Sequence, residues 1–384
     1  HDLTIWDNSI FSRTMFEWNT SDTQTLLFNV TPKFTTRTGD ERRQLDPEAR
    51  DPLSARNDVM TVVSGVGHEW SLWKMPDLRP NQAPRRGLDY RISNTFNVKS
   101  YIYALGAEEP LPGGGFRNQS RVLPQFGVAD AVRFAIDREW SIKTSYEYAT
   151  RLPDSWEVFG DGVFVQPNLE LNPEVSHNFN LGPIYDAKHT ATGDWVAFVN
   201  GGFRDSDNMI VLLGNDRYYT YQNVYRAVTL FGEGGTSWVS PGRYLALDAK
   251  FTANDSRNRS SEGTFADFEG DRIPNRPPLT ASWAARLSFS QLFMQRDRLE
   301  PFYQGSFSSG FYRGWESQGL QAYKQRIEDQ SWHDLGITYV VETDHTRISN
   351  TIEVQNFTDE VLYELYGRQR PGRAVYWKFV ADFY

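Results

Sequence analysis

The side chains that most often carry out chemistry are few or scattered in this chain of 384 residues. Cysteine is missing altogether, which excludes thiolate nucleophiles, disulfides and cysteine–zinc sites. The six histidines are scattered, and none has the H-E-x-x-H spacing of a zinc hydrolase. No G-x-S-x-G segment marks a serine nucleophile. We therefore predict that the protein is not an enzyme and has no bound cofactor.

Groups of oxygen donors and of arginines are the remaining candidates for ligand contacts. Asp205, Asp207 and Asn208, and separately Asp154 with Asp161, are expected in external loops, where their oxygens suit Ca²⁺. Neither group has the full twelve-residue pattern of a calcium loop, so solvated polar residues are the simpler interpretation. The arginines that are candidates for binding an anionic ligand are Arg42, Arg43, Arg50, Arg257, Arg259, Arg272 and Arg276. Solvated loop charge explains these arginines equally well.

An unusual composition indicates the elements that must position these residues. Hydrophobic residues make up only 39% of the chain, yet aromatic residues reach 15%, and the mean hydropathy is −0.58. Such values are typical of a transmembrane β-barrel, in which alternate residues face lipid and aromatic belts lie at both interfaces. No apolar run approaches the ~18–20 residues of a membrane-spanning helix. The net charge of −9 argues against nucleic acid as a partner.

Apolar and polar residues alternate with period two in many segments, which predicts half-exposed antiparallel strands. The clearest segments are 26–34, 141–148, 244–253, 281–290 and 347–355. These segments contain 8–10 residues, close to the ~9–11 that a tilted strand needs to cross a bilayer. We expect about 13–15 such strands, which makes residues 1–384 a barrel portion without a separate soluble domain.

Long polar connections are expected on one side of the barrel and short turns on the other. The predicted long loops are 36–57, 76–89, 106–119, 151–173, 254–279 and 312–329. Residues 357–368 are the nearest candidate for a short turn of helix. Tryptophans that flank the loops are interpreted as the interfacial belt, with stacking on a sugar or siderophore ring as the alternative: Trp70, Trp73, Trp156, Trp238 and Trp315.

Three stretches of the sequence form motifs. The first has the pattern R-x-P … E … P-N … L-x-P-E-x-S and comprises Arg151, Pro153, Glu157, Pro167, Asn168, Leu171, Pro173 and Glu174. The second has the loop pattern G-x-x-I-P-x-x-P and comprises Gly270, Ile273, Pro274 and Pro277. The third lies at the C-terminus and comprises Asn356, Asp359, Pro371, Gly372, Arg373, Phe383 and Tyr384. In their order and spacing the three motifs resemble the TonB-dependent receptor family of outer-membrane proteins, and the long loops are also similar to those of its Oar-like subgroup.

These motif residues are expected to have structural roles. Pro371 and Gly372 suit a tight turn before the last strand, and Asp359 can accept hydrogen bonds from backbone amides where a strand ends. Tyr384 falls in phase with polar residues of the last strand, whereas Phe383 falls in phase with its apolar residues. This phase predicts either a bulge near the end of the strand or one additional residue after it.

The resemblance implies a 22-stranded transmembrane barrel with an N-terminal plug, located in the outer membrane of a Gram-negative bacterium. It also implies a transport receptor whose external loops capture a scarce ligand and whose plug receives energy through TonB. No plug and no TonB box are visible in this sequence, and the expected strands are too few. We therefore expect an upstream segment or a second polypeptide to supply the plug and the remaining strands. Outer-membrane lipid and lipopolysaccharide, whose phosphates suit the loop arginines, are the other expected partners.

Three further functions stay open at this point. The first is a passive, porin-like channel. The second is a soluble all-β carbohydrate-binding protein or glycosidase, and a glycosidase would need two convergent carboxylates in a cleft. The third is a component of envelope secretion or assembly. The strand length argues against the soluble alternative, and the sequence does not identify the ligand of a transport receptor.

Overall fold

The computed structural model describes residues 3–41, 56–75, 90–111, 115–161, 164–214, 218–319, 326–365 and 368–384. The strands are β1 (Leu3–Phe11), β2 (Thr14–Ser21), β3 (Gln24–Glu41), β4 (Asn57–Lys74), β5 (Tyr90–Pro110), β6 (Phe116–Ala135), β7 (Trp140–Arg151), β8 (Val165–Gln166), β9 (Glu174–Thr190), β10 (Gly193–Gly214), β11 (Tyr219–Val239), β12 (Leu245–Asn258), β13 (Leu279–Leu287), β14 (Phe289–Ser290), β15 (Asp297–Ser308), β16 (Phe311–Tyr312), β17 (Arg326–Ile327), β18 (Gln330–Glu342), β19 (Thr346–Gln355), β20 (Tyr363–Leu365), β21 (Arg368–Gln369) and β22 (Ala374–Phe383). Helix in these ranges is limited to α1 (Ser155–Phe159) and a 3-10 turn at Ala266–Phe268. Neither is long and apolar enough to cross a membrane.

One sheet of eighteen strands forms the body of the described chain. Strands β1 and β2 pair with different halves of β3, so together they act as one broken strand. Strand β14 prolongs β13 beside β15, and β8 makes only a two-residue parallel pair with β11. The described sheet therefore has fifteen long strands, each paired antiparallel with its neighbours in the chain. Within the described residues it ends at β1 and β2 on one side and at β22 on the other.

Successive connections alternate between the two ends of the sheet. At one end, which we call the short-turn end, the strands are joined by residues 22–23, 136–139, 191–192, 240–244, 291–296 and 343–345. At the opposite end, the long-loop end, the longest described connections are 152–173, 259–278 and 356–373. Among the described connections this asymmetry agrees with the predicted pattern, whereas the predicted long loop 76–89 follows β4 and precedes β5, whose facing ends lie at the short-turn end.

Several predicted loops included residues that belong to strands in the structure. Residues 36–41, 57, 106–110, 116–119 and 254–258 belong to strands, which continue toward the long-loop end. Alternation fades there because both faces of the strand contact polar surroundings, so period two no longer marks the strand. The predicted loop 76–89 lies outside the described residues.

The predicted helical turn at 357–368 is wrong for the part that the structure describes. Asn356 and Asp359 have φ values of 47° and 61°, and the chain enters strand β20 at Tyr363. Two residues in the left-handed region within four positions prevent a right-handed helix from forming.

The two faces of the sheet differ sharply in chemistry. On one face, which we call the outward face, large apolar side chains such as Leu247, Phe289 and Ile352 are exposed, the last by 53%. The opposite face is polar, with Lys99 Nζ 3.1 Å from Glu147 Oε1 and Ser237 donating to Asp248 at 2.6 Å. Alternate side chains of a strand point to opposite faces, so the two environments are separated along every strand. Such a wall matches a sheet solvated by hydrocarbon outside and by water inside.

The pairing of the last strand shows whether it contains a bulge and where Tyr384 lies. Strand β22 pairs with β19 in unbroken register from Ala374 opposite Gln355 to Phe383 opposite Thr346. The predicted bulge is therefore wrong. Tyr384 is one residue beyond the strand, and its hydroxyl donates a 3.3 Å hydrogen bond to Glu342.

Candidate ligand-binding cavity at the long-loop end

The first motif organises the loop of residues 152–173, which we call the inner loop. Asp154 caps α1 by accepting the amide of Trp156, and Glu157 accepts the amide of Asp154 at 2.9 Å. The Glu157 carboxylate also pairs with Arg151, the last residue of β7. Gly160 ends the helix with a φ of 67°, a conformation that favours glycine. The motif residues thus fix a short helix directly after a strand.

Apolar contacts hold the inner loop on the polar face of the sheet. Val158 and Leu171 are almost fully buried in a cluster with Tyr103, Leu105 and Ile210. Tyr103 and Leu105 lie on the same face of β5 as Lys99, because they are separated from it by an even number of residues. The inner loop therefore folds into the interior at the long-loop end and covers part of it.

Other members of the first motif tie the inner loop to distant strands. Asn168 donates from its side chain to the carbonyl of Tyr221 at 2.8 Å. Glu174 is buried and accepts the amide of Ile210 at 3.2 Å. Pro153 is fully buried, whereas Pro167 is exposed and Pro173 leads into β9. Asn168 and Glu174 thus connect the first motif to strands β10 and β11, and these contacts support a role in positioning the inner loop.

Arg37 is a second clamp on the inner loop that the sequence did not indicate. Its buried guanidinium donates two hydrogen bonds to Asp7, at 2.6 and 2.5 Å, and another to the carbonyl of Gly160. It also lies 5.6 Å from the ring centre of Trp156 and 5.7 Å from that of Phe159. Its partners are 30 and 123 positions away, so no local pattern could have predicted these contacts.

Replacing Arg37 with methionine is expected to loosen the inner loop while leaving the barrel folded. Breaking a buried ion pair costs about 3–5 kcal/mol, but Asp7 is partly exposed and can regain water, so we expect about 2 kcal/mol. Amide hydrogen exchange at Trp156–Gly160 should then accelerate roughly 30-fold. Lys33→Met is the control, because Lys33 makes only an exposed 3.5 Å contact with Asp154, worth at most about 1 kcal/mol. Equal exchange rates in the two variants would contradict the assigned role of Arg37.

The second motif shapes the loop of residues 259–278. Gly270 has a φ of 92° and donates its amide to the carbonyl of Asn258 at 2.8 Å. Ile273 is buried against Met209, Val224 and Trp315, and Pro274 is buried beside it. The hairpin ends of β10 and β11 are thus covered on one face by this loop and on the other by the inner loop, which contacts Ile210.

A cavity of about 450 Å³ lies beneath the second motif. Its wall is the polar face of β10, β11, β12 and β13, and its lid is the end of the 259–278 loop. The lining residues are Arg204, Thr229, Phe231, Glu233, Thr252, Asn254, Ser256, Arg272, Ile273, Arg276, Pro277, Pro278 and Thr280. Ile273 and Pro277 of the second motif therefore line the cavity, while Gly270 and Pro274 position the loop. This cavity is therefore the candidate binding site.

Two arginines make the side of this cavity nearer the long-loop end positively charged. Arg204 projects from β10 and donates to the side-chain oxygen of Asn178 at 2.6 Å. Desolvation lowers the pKa of Arg276, and the positive charges of Arg204 and Arg151 lower it further, against the opposing effect of Glu174. A guanidinium with such a high starting pKa stays protonated at neutral pH. Arg276 is crowded by protein but keeps exposed surface where it lines the cavity.

The third motif is a connection between strands and not a binding site. The Asn356 side chain bonds to both the amide and the carbonyl of Glu360, at 3.0 and 2.8 Å. Asp359 accepts the amide of Arg373 at 2.9 Å, which agrees with its expected role at a strand end. Pro371 and Gly372 are exposed immediately before β22. Phe383 is exposed on the outward face, next to Tyr384.

The candidate calcium groups are not assembled. Asp205, Asp207 and Asn208 lie within β10, so the prediction that they lie in an external loop is wrong. Asp205 forms an ion pair with Arg226 at 2.6 Å. Asp154 caps α1, and Asp161 accepts two backbone amides at 2.7 Å. Across the described ranges, no three His, Asp or Glu side chains are grouped to hold a metal ion.

The remaining arginine and tryptophan candidates do not come together in one site among the described residues. Arg257 and Arg272 share the carboxylate of Asp255, whereas Arg42, Arg43 and Arg50 lie outside the described residues. Arg259 donates its amide to the carbonyl of Arg226. Trp73 and Trp156 are exposed, Trp70 is half-buried, and Trp238 lies at the short-turn end beside Trp195. Trp315 is wrong as a belt residue, because it is buried and stacked on Phe268 at 5.2 Å.

Comparisons with known proteins agree on one fold. The family model described as TonB dependent receptor-like, beta-barrel matches residues 2–357. The copper transporter OprC has a similar structure, with a TM-score of 0.69 and 14% identity over 100% of this chain and 57% of that one. The ferric yersiniabactin uptake receptor FyuA from Yersinia pestis has a TM-score of 0.60 and 13% identity, over 99% of this chain and 55% of that one. The siderophore receptor PiuA from Acinetobacter baumannii has a TM-score of 0.64 and 12% identity, over 100% of this chain and 56% of that one. The chain thus spans little more than half the length of these relatives. A search of curated proteins gave no match.

Proposed function

Since the chain belongs to the TonB-dependent receptor β-barrel family, we propose that it forms most of the wall of a receptor that takes up a scarce ligand. Family membership confirms three predictions: an all-β transmembrane barrel, a location in the outer membrane, and a chain that is not an enzyme. It also rules out the soluble carbohydrate-binding or glycosidase alternative. The ligand would be captured at the long-loop end and released toward the short-turn end.

The cavity at the long-loop end is the observation that supports uptake. The inner loop folds onto the polar face, and the end of the 259–278 loop forms a lid over the cavity there, so the two loops narrow the interior instead of leaving it open. The space that remains is lined by polar side chains and one aromatic ring, a combination typical of small-molecule sites. A wide passive channel would not need a lid of this kind.

The proposal includes partners that complete the wall. In the residue-by-residue pairing of the described strands, β22 pairs only with β19, and β1 and β2 pair only with β3. Unpaired backbone groups cannot stay exposed to hydrocarbon, where each costs several kcal/mol. We propose that further strands and a TonB-contacting plug close this wall, supplied by an upstream segment or a second polypeptide. Lipid and lipopolysaccharide would surround the outward face.

Conductance of the purified receptor tests the proposal against a passive channel. In a planar bilayer, a plugged receptor should show no steady open current, because the plug blocks the lumen. A stable ohmic conductance from every inserted molecule would favour the porin-like alternative. The intact mass of the same preparation tests wall completion, since a single species near 44 kDa with no partner polypeptide would refute it.

A further inference from the structure

We infer that the ligand of this receptor carries an anionic group, which Arg204 and Arg276 bind in the cavity beneath the second motif. This inference rests on the proposed uptake function and adds the chemical class of the ligand. The class is a small organic anion, such as a carboxylate, phosphate or sulfonate on an apolar or ring-shaped body.

The two arginines have no carboxylate partner among the described residues. The hydrogen bond of Arg204 goes to the neutral amide of Asn178. Arg276 makes no hydrogen bond or ion pair with the described chain, although it lies where desolvation weakens its hydration. Both side chains keep exposed surface, so a molecule in the cavity can reach them. An unpaired guanidinium that borders an open cavity is therefore a group that a ligand can satisfy.

The acidic groups nearby are engaged elsewhere. Glu174 is buried, bonds to the amide of Ile210 and does not line the cavity. Glu157 pairs with Arg151. Glu233 lines the cavity, but it is four residues farther along β11 than Thr229, the residue opposite Arg204. That separation is roughly 13 Å along a strand.

The third arginine of the cavity is neutralised. Arg272 lies 3.1 Å from Asp255 and 3.9 Å from Glu316. The positive charge that lacks a direct ion pair among the described residues is therefore that of Arg204 and Arg276, on the side of the cavity nearer the long-loop end, although buried Glu174 acts on Arg276 through space. Two guanidinium groups, Arg204 on the wall and Arg276 on the lid, suit a planar or tetrahedral anion, because a guanidinium can donate two parallel hydrogen bonds.

Apolar surface in the same cavity indicates more than an inorganic ion. Phe231 and the two prolines Pro277 and Pro278 line it together with the arginines. An anionic head at the arginines would place the rest of the molecule against these side chains. Ordinary sites for small molecules combine apolar lining with a few such polar anchors.

A single cysteine provides the test, since this chain has none of its own. Thr252→Cys, on the cavity wall, is introduced into the full-length receptor after any cysteine outside these 384 residues has been changed to serine. The thiol is treated with an anionic sulfonatoethyl or a cationic trimethylammonioethyl methanethiosulfonate reagent. The measured quantity is the ratio of the modification rate with the anionic reagent to that with the cationic reagent. We expect this ratio to be higher for the cavity thiol than for a free thiol in solution.

Arginine substitutions assign this preference to its source. Arg276→Gln and Arg204→Gln should each lower the anionic-to-cationic rate ratio roughly fivefold, the effect of one charge at about 8 Å in water. Arg286→Gln is the matched control, because Arg286 is on the same face of β13 but does not line the cavity. A ratio that is unchanged by Arg276→Gln, or equally changed by Arg286→Gln, would overturn the inference.

Protection by a probe identifies the class of occupant. Tricarballylate, a trianion, should slow modification of Thr252→Cys severalfold, and its neutral triamide should not. Protection by the triamide alone would overturn the anionic class. If the full-length receptor shows no anionic preference, an acidic side chain of the plug occupies the arginines and the inference fails. Neither result would alter the conductance test, so failure of the inference is distinguishable from failure of the uptake function.

Discussion

Replacing Gly182 with valine is expected to prevent most of the protein from reaching its folded, heat-modifiable form. A Cβ atom at this position would lie 2.1 Å from the carbonyl oxygen of Val199 and 2.8 Å from the Cα of Asn200. Both atoms belong to the backbone of β10, so the clash cannot be relieved by a side-chain rotation. Overpacking usually costs about 1–3 kcal/mol, and we expect at least the upper value because a strand must move.

Gly232→Val is the matched control for this experiment. A Cβ atom at Gly232 would meet no other atom within 4 Å, although Gly232 lies in the adjacent strand β11. The folded fraction is measured by cold gel electrophoresis with and without heating, and stability by urea titration. If both valine variants fold equally well, the close approach of β9 and β10 at Gly182 is not a requirement of this fold.

Replacing Phe251 with arginine is expected to destabilise the barrel by about 2–4 kcal/mol in a lipid bilayer, the cost of a charge near the bilayer midplane. Phe251 is in the middle of β12, and its exposed ring lies on the outward face with Leu247. The reason is that a guanidinium has no water or counter-ion in hydrocarbon. Urea titration in lipid vesicles measures the effect.

Gln304→Arg is the control on the other face. Gln304 is exposed, lies on the polar face of β15 and is opposite Asp334, so a new guanidinium there can remain hydrated. We expect a change of less than about 0.5 kcal/mol for this surface substitution. Equal destabilisation by the two arginines would show that the outward face is not in contact with lipid.

The first motif shows which structural roles could be predicted from the sequence and which could not. Glu157, Asn168 and Glu174 could be assigned structural roles from their resemblance to a family pattern, and their bonds support such roles. The clamp at Arg37 could not be foreseen, because it joins the inner loop to β1 and β3 from a segment that resembled a loop. Asp205 and Asp207 were expected in a loop but lie within β10, because polar residues inside a long strand resemble a loop in the sequence.

What the sequence determined by itself is the strand and its two faces. Period two is a property of each segment alone, so the outward position of Leu247 and Ile352 follows from local chemistry. Only the tertiary structure decided which loops turn inward, which arginines keep a partner, and that Arg204 and Arg276 meet at one cavity. These properties depend on contacts between residues far apart in the chain, and such contacts have no period in the sequence.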